Sequence, residues 1–285
     1  MRETDMDIAE KIEKGTVFST DFTSWDGSIN LLLARCRLAD VLAEQRTILI
    51  KPNLVEALQP PITTPVALIA ALVDWLRKQA PHCRVMIGEG CGSLEYDTPH
   101  VFDALGYTRL AREKGVELID LNEEKSVRKS NGQCRRFPEI YLPAILFETF
   151  LVSVPVLKAH SLAGVTLTMK NMMGAAPPRH YQQGGHWKKA SFHSGIQEAV
   201  FELNRYRSPD FTLLDATVGM AQAHLWGPTC SPPVNKLCAG FDPVAVDACG
   251  CALLGREWRE IGHIRRADGV LGTGDYRVIE IRAAG

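Results

Sequence analysis

Thr47-Ile48-Leu49-Ile50-Lys51-Pro52-Asn53-Leu54 sets four apolar or β-branched residues ahead of a cation, a proline and an amide. The first four form a run too short for a helix and of the right length for a buried strand. Pro52 holds Lys51 in an extended conformation, so the Lys51 and Asn53 side chains point to one side. A cation and an amide at a strand end suit a carboxylate or phosphate oxygen. A lysine that only covers the sheet edge explains these residues equally well.

Working outward, Pro60-Pro61-Ile62-Thr63-Thr64-Pro65 is a loop. It predicts Thr64 as the N-cap and Pro65 as the first position of a helix reaching about Gln79. Arg84-Val85-Met86-Ile87-Gly88 is a second strand, with Glu89 at its C-terminal end. A helix over 98–114 and a strand over 116–120 follow, and an amphipathic helix over 28–43 precedes. This alternation predicts an α/β fold, a mostly parallel sheet with helices on both faces. With 285 residues, 46% of them hydrophobic, the chain can bury a sizeable core. We read 1–285 as a single α/β domain. The polar stretch 123–136 and a proline-bounded edge strand at 137–142 allow a sub-domain boundary near 122–148.

The next strand, Phe150-Leu151-Val152-Ser153-Val154, is stopped by Pro155 and delivers Lys158, His160, Lys170 and Asn171 among small and apolar residues. Ligands of open α/β sheets bind at such C-terminal edges. No acidic residue lies between Val154 and Arg179 to balance these cations. A long Gly/Pro loop then carries His180 and His186, and His193 sits near the start of a helix through Ile196, Val200 and Leu203. Phe211-Thr212-Leu213-Leu214-Asp215-Ala216 is another strand, ending in a carboxylate. In Phe241-Asp242-Pro243-Val244-Ala245-Val246-Asp247, Asp242 fits an N-cap. Asp247 lies among apolar neighbours of a helix and needs a partner, a lysine or a metal. A last strand covers 277–281.

Composition removes several function classes. A net charge of -1 offers no field for nucleic acid or an anionic membrane surface. No apolar run reaches transmembrane length, and the acidic start Met1-Arg2-Glu3-Thr4-Asp5-Met6-Asp7 argues against a signal peptide, so a cytoplasmic location is expected. The eight cysteines contain no C-x-x-C pair, hence no zinc-ribbon or ferredoxin-type run. Cys91, within Gly88-Glu89-Gly90-Cys91-Gly92-Ser93, reads either as part of a functional loop or as an incidental turn residue.

Taken together, Lys51-Pro52-Asn53-Leu54, the 155–174 segment, Asp215 and the Asp242-to-Asp247 hexapeptide resemble, in that order, the DUF362 family. The resemblance covers about 47–274. Many of that family's members carry an appended ferredoxin-type module that this sequence lacks. A second motif, His160-x-x-Ala163-Gly164-x-Thr166-x-x-x-Lys170, is similar to a segment of the nickel-pincer lactate racemases. That similarity implies an acid/base role for His160, a covalent cofactor anchor at Lys170 and a nickel ligand at His186. The sequence departs from those racemases in lacking their Asp-His-Thr signature; Glu89 or Cys91 takes the comparable strand-end position.

These readings converge on an enzyme of isomerase or racemase type that acts on a small hydroxy- or keto-acid-like anion. His160, Lys170 and Glu89 are the expected catalytic set. Lys51, Asn53, Lys158, Asn171 and Asp247 are expected to bind the substrate through charge-assisted hydrogen bonds. His186, His193 and Asp215 are the candidate ligands of a divalent metal. Two rivals remain: a redox protein that takes an iron–sulfur or flavin centre from a partner, and a non-catalytic anion-binding module. A homo-oligomer is compatible with all three.

Overall fold

The computed structural model describes residues 13–222 and 224–282. The acidic N-terminal heptad discussed above lies outside the described residues. The chain opens with β1 (Thr16–Asp21) and helix α1 (Trp25–Arg35), followed by β2 (Thr47–Pro52), α2 (Val66–Gln79) and β3 (Arg84–Glu89). Helices α3 (Thr98–Ala104) and α4 (Tyr107–Lys114) lead to β4 (Glu117–Asp120), and β5 (Ser126–Ser130) and β6 (Glu139–Pro143) form a separate hairpin. The chain returns through β7 (Phe150–Val154), β8 (Val156–His160), β9 (Gly164–Val165), α5 (Leu167–Asn171) and α6 (Ile196–Tyr206). It closes with β10 (Phe211–Met220), β11 (Lys236–Gly240), α7 (Pro243–Leu253), α8 (Gly262–Ala267) and β12 (Arg277–Ile281).

The strand order is β12-β1-β11-β10-β7-β2-β3-β4. Along this path every pair is parallel except the two made by β11, as the β-α alternation requires. Alternation along each strand then sorts side chains between two cores. Ile48, Ile50, Phe150 and Val152 pack with α1, α2 and α3 on one face. Leu49, Leu151 and Leu214 pack with α5, α6 and α7 on the other. The expected α/β fold, mostly parallel with helices on both faces, is what the chain adopts.

Several local expectations need correction. The helix expected over 28–43 breaks where Arg37 turns left-handed, φ 56°. The one expected over 98–114 breaks at Gly106, φ 83°, where glycine has no steric penalty. Pro65, not Thr64, caps α2. Thr64 is instead a clasp between strands: its hydroxyl accepts from the Asn53 amide at 2.8 Å and donates to the Val154 carbonyl at 2.7 Å. Pro155 interrupts the ladder without ending it. Its carbonyl accepts from the Asp215 amide at 3.0 Å, and β8 resumes beside β10. Lys158 and His160, expected at the edge where β7 ends, therefore sit on β8 itself. Strand β10 also runs on to Met220, which leaves Asp215 mid-strand. His193 ends a one-turn helix, Ala190–His193, ahead of α6 instead of starting it.

Candidate active site

The C-terminal ends of β2 and β3 supply the base of the site. Lys51, fully buried, donates to both Glu89 oxygens at 2.8 and 3.0 Å and to Asn171 Oδ1 at 3.3 Å. Glu89 also accepts the Leu54 amide at 3.1 Å and the Gly90 amide at 2.8 Å. Asn53 Nδ2 donates to Asn171 Oδ1 at 3.0 Å, and Asn171 Nδ2 donates to Ser153 Oγ at 3.1 Å. Lys51, Asn53, Glu89 and Asn171 are thus brought together, as the sequence suggested, but mainly to bind one another. Burial pulls the Lys51 pKa down, and the adjacent Glu89 charge opposes that. Gly174 closes over this group: a Cβ there would lie 2.0 Å from Glu89 Oε1 and 2.6 Å from Lys51 Nζ.

Asp247 explains how Lys170 is presented. It is fully buried on α7, and its two oxygens accept the Thr168 amide at 2.7 Å and the Met169 amide at 3.0 Å. It therefore caps the first turn of α5 from another helix, satisfying donors that a helix start leaves open. Burial outweighs these two bonds and raises its carboxyl to about 8. The chain enters α5 through Leu167 at φ 44°, a left-handed conformation that only fixed surroundings maintain. Gly250 of α7 makes room for Leu167, since a Cβ there would meet its methyls at 2.9 Å.

Above this base lies a cavity of about 820 Å³, with Lys158, His160, Lys170, His193 and His224 in its wall. Lys158 donates to the Ile62 carbonyl at 2.6 Å, and burial together with the Lys170 charge lowers its pKa to about 7. Lys170 is partly buried, and no hydrogen bond or ion pair among the described residues engages its ammonium group. Burial, then the charge of Lys51, brings it to about 8.

The two histidines that the sequence singled out in this wall have opposite tautomers. His160 Nδ1 accepts the amides of Leu162 and Ala163, both at 3.1 Å, so the proton of the neutral ring is on Nε2. His193 Nδ1 lies 3.0 Å from the Lys189 carbonyl, which can only accept, so Nδ1 carries the proton and Nε2 a lone pair. Burial, then the charges of Lys170, His224 and Lys158, hold the His160 ring well below the usual imidazole value. Burial also lowers His193, against the bond to the Lys189 carbonyl and with the help of the Lys170 charge. His224 stacks on His160 with ring centroids 4.1 Å apart and is lowered to about 4, first by burial and then by Lys170.

His224 and Lys189 escaped the sequence reading. His224 lies in a loop with no hydrophobic period. Lys189 resembles its neighbour Lys188, yet it is buried and donates to Asn122 Oδ1 at 2.6 Å and the Ala176 carbonyl at 2.7 Å. Other candidates lie apart from the cavity. Asp215 turns its carboxylate to the amide and hydroxyl of Thr217, at 2.9 and 2.7 Å. His186 is exposed and outside the cavity wall. Cys91 is buried behind the wall, its thiol 3.4 Å from both Lys188 Nζ and the Tyr96 carbonyl. Among the described residues no three His, Cys, Asp or Glu side chains gather to hold a metal ion.

A pincer-type cofactor fits this site in part. Lys170, unengaged among the described residues and lowered to about 8, meets the need for a covalent anchor, whereas His186, the ligand implied by the resemblance to the racemases, is not on the cavity.

A family model described as "Domain of unknown function (DUF362)" matches residues 48–252. Among solved structures, the lactate racemase apoprotein from Thermoanaerobacterium thermosaccharolyticum is similar with a TM-score of 0.53 at 15% identity. The match covers 86% of this chain and 57% of that one, so the chain spans little over half the racemase's length. At this identity the likeness is one of fold. None of the curated proteins matches.

Proposed function

The chain belongs to the DUF362 family, and we propose that its cavity is the active site of an isomerase or racemase acting on an anion of hydroxy- or keto-acid type. The observation that carries this reading is the pair of histidines with opposite tautomers beside Lys158 and Lys170, neither of which forms an ion pair among the described residues. Glu89 of the same wall is paired with Lys51 and only favours the charged form of Lys158 from a distance. Lys158 and Lys170 hold the anionic head as charge donors. His193 Nε2, with its free lone pair, takes the proton from the carbon next to the carboxylate. His160 Nε2–H donates to the oxygen on which the released electron pair collects. A neutral imidazole donor of this kind polarises a carbonyl without first giving up its proton. The planar intermediate turns over in the cavity, and the protonated His193 returns its proton to the opposite face of that carbon, which gives the mirror-image product. When bound, a pincer cofactor on Lys170 would supply a hydride acceptor for the same carbon.

The lysines give this reading a pH signature. Their pKa values are lowered to about 8 and about 7, so both are charged below neutrality and lose their protons as pH rises through that range. Affinity for oxalate, measured by titration calorimetry, is expected to fall by tenfold or more, on the order of one charge-assisted bond, between pH 6 and pH 9. Lys170→Met is expected to lose that affinity at every pH. Unchanged oxalate binding by Lys170→Met would remove Lys170, and with it the proposed site, from consideration.

A further inference from the structure

The mouth of the cavity gathers large apolar side chains, interspersed with Glu56, Glu95 and Lys188, over an interior that presents Lys158 and Lys170. Leu94 (58% exposed) and Tyr96 (37%) come from the loop after β3, and Leu162 (50%) from the turn between β8 and β9. Trp187 (51%) comes from the loop ahead of α6, and Trp226 (77%) from the loop after β10. Among the described residues the other exposed large hydrophobics are Val270 and Val278 alone, neither of them on the cavity. Scattered surface hydrophobics need no explanation, but their collection by four loops around one opening does. Trp187 also joins rim to interior, its ring 4.5 Å from that of His193.

Volume points the same way. At about 820 Å³ the cavity falls within the roughly 300–1,000 Å³ that drug-sized ligands occupy. A three-carbon acid engaged by Lys158 and Lys170 would leave most of it empty and the rim untouched. Resting on the reading of the interior as an anion site, we infer that the ligand is an amphipathic anion. Its acid head lies against the buried lysines, and an aryl or long acyl body passes between Trp187, Leu162 and Trp226.

Titration calorimetry with 2-hydroxy acids from lactate to 2-hydroxyoctanoate, with 3-phenyllactate and with the matching uncharged alcohols, tests this inference. Each added methylene is expected to tighten binding about fourfold until the rim is filled, the value of a buried methylene. In Trp226→Ala, and separately in Trp187→Ala, that gain is expected to fall below about twofold per methylene. A flat series in the unmodified protein overturns the inference, as does equal affinity for the alcohols. A flat series together with a dimer that Trp226→Ala dissociates overturns it in favour of a subunit contact. A rising series without conversion of any acid leaves the inference standing and defeats the isomerase reading. Conversion of lactate as fast as of the long-tailed acids does the reverse.

Discussion

Replacing Lys51 with methionine is expected to destabilise the fold by about 3–5 kcal/mol, the usual result of removing one partner of a buried ion pair. Lys51 and Glu89 are 0% and 2% exposed, so the carboxylate left behind stays almost entirely out of solvent, with only the cavity side of Glu89 near water. The Leu54 and Gly90 amides remain on the carboxylate, but they do not cancel its charge. Restoring neutrality with the double variant Lys51→Met, Glu89→Gln is expected to recover part of the loss, because a buried charge pair is costly to desolvate in the first place. Urea unfolding of the two variants measures this directly. A loss below about 1 kcal/mol in the single variant, typical of an exposed pair, would show that the pair is not buried as described.

The second large effect is expected at Asp247. Its removal as Asp247→Ala strips acceptors from the Thr168 and Met169 amides inside a dry core. Each buried donor left open costs about 1–3 kcal/mol. The first turn of α5 then loses its cap, and Lys170 and Asn171, which that turn presents, lose their positions. Both stability and anion affinity are expected to drop together, with Asp247→Asn intermediate because one oxygen survives. A residue that touched the ligand directly would behave differently: its loss would weaken binding with stability intact. That outcome would return Asp247 to the substrate-binding role suggested by sequence alone.

Asp247 also shows what kind of information a sequence holds. A carboxylate among Val244, Val246 and Cys249 plainly requires a partner. That the partner is a pair of amides 78 and 79 residues away depends on how α5 and α7 meet, which no local pattern encodes. The parallel sheet was legible because β2, β3 and β4 are each short apolar runs separated by helical ones. Strand β1 was not, since its neighbours β11 and β12 lie more than 200 residues downstream. The lysine–amide pair at the end of β2 was legible through Pro52, yet Lys51 turned out to be committed to Glu89. Burial separates Lys189 from Lys188, and sequence does not print burial. The tautomers of His160 and His193 depend on single backbone contacts, so the acid and base halves of the proposed chemistry became distinguishable only in three dimensions.

The proposed reaction is inversion of the carbon next to an anionic head. It is tested most directly by incubating single enantiomers of 2-hydroxy acids with protein purified from its native source and resolving the products by chiral chromatography. The mirror-image acid is expected to appear, and His193→Asn and Lys170→Met are expected to abolish its formation. Protein saturated with a bound acid that returns it with its configuration unchanged would rule out the proposed inversion.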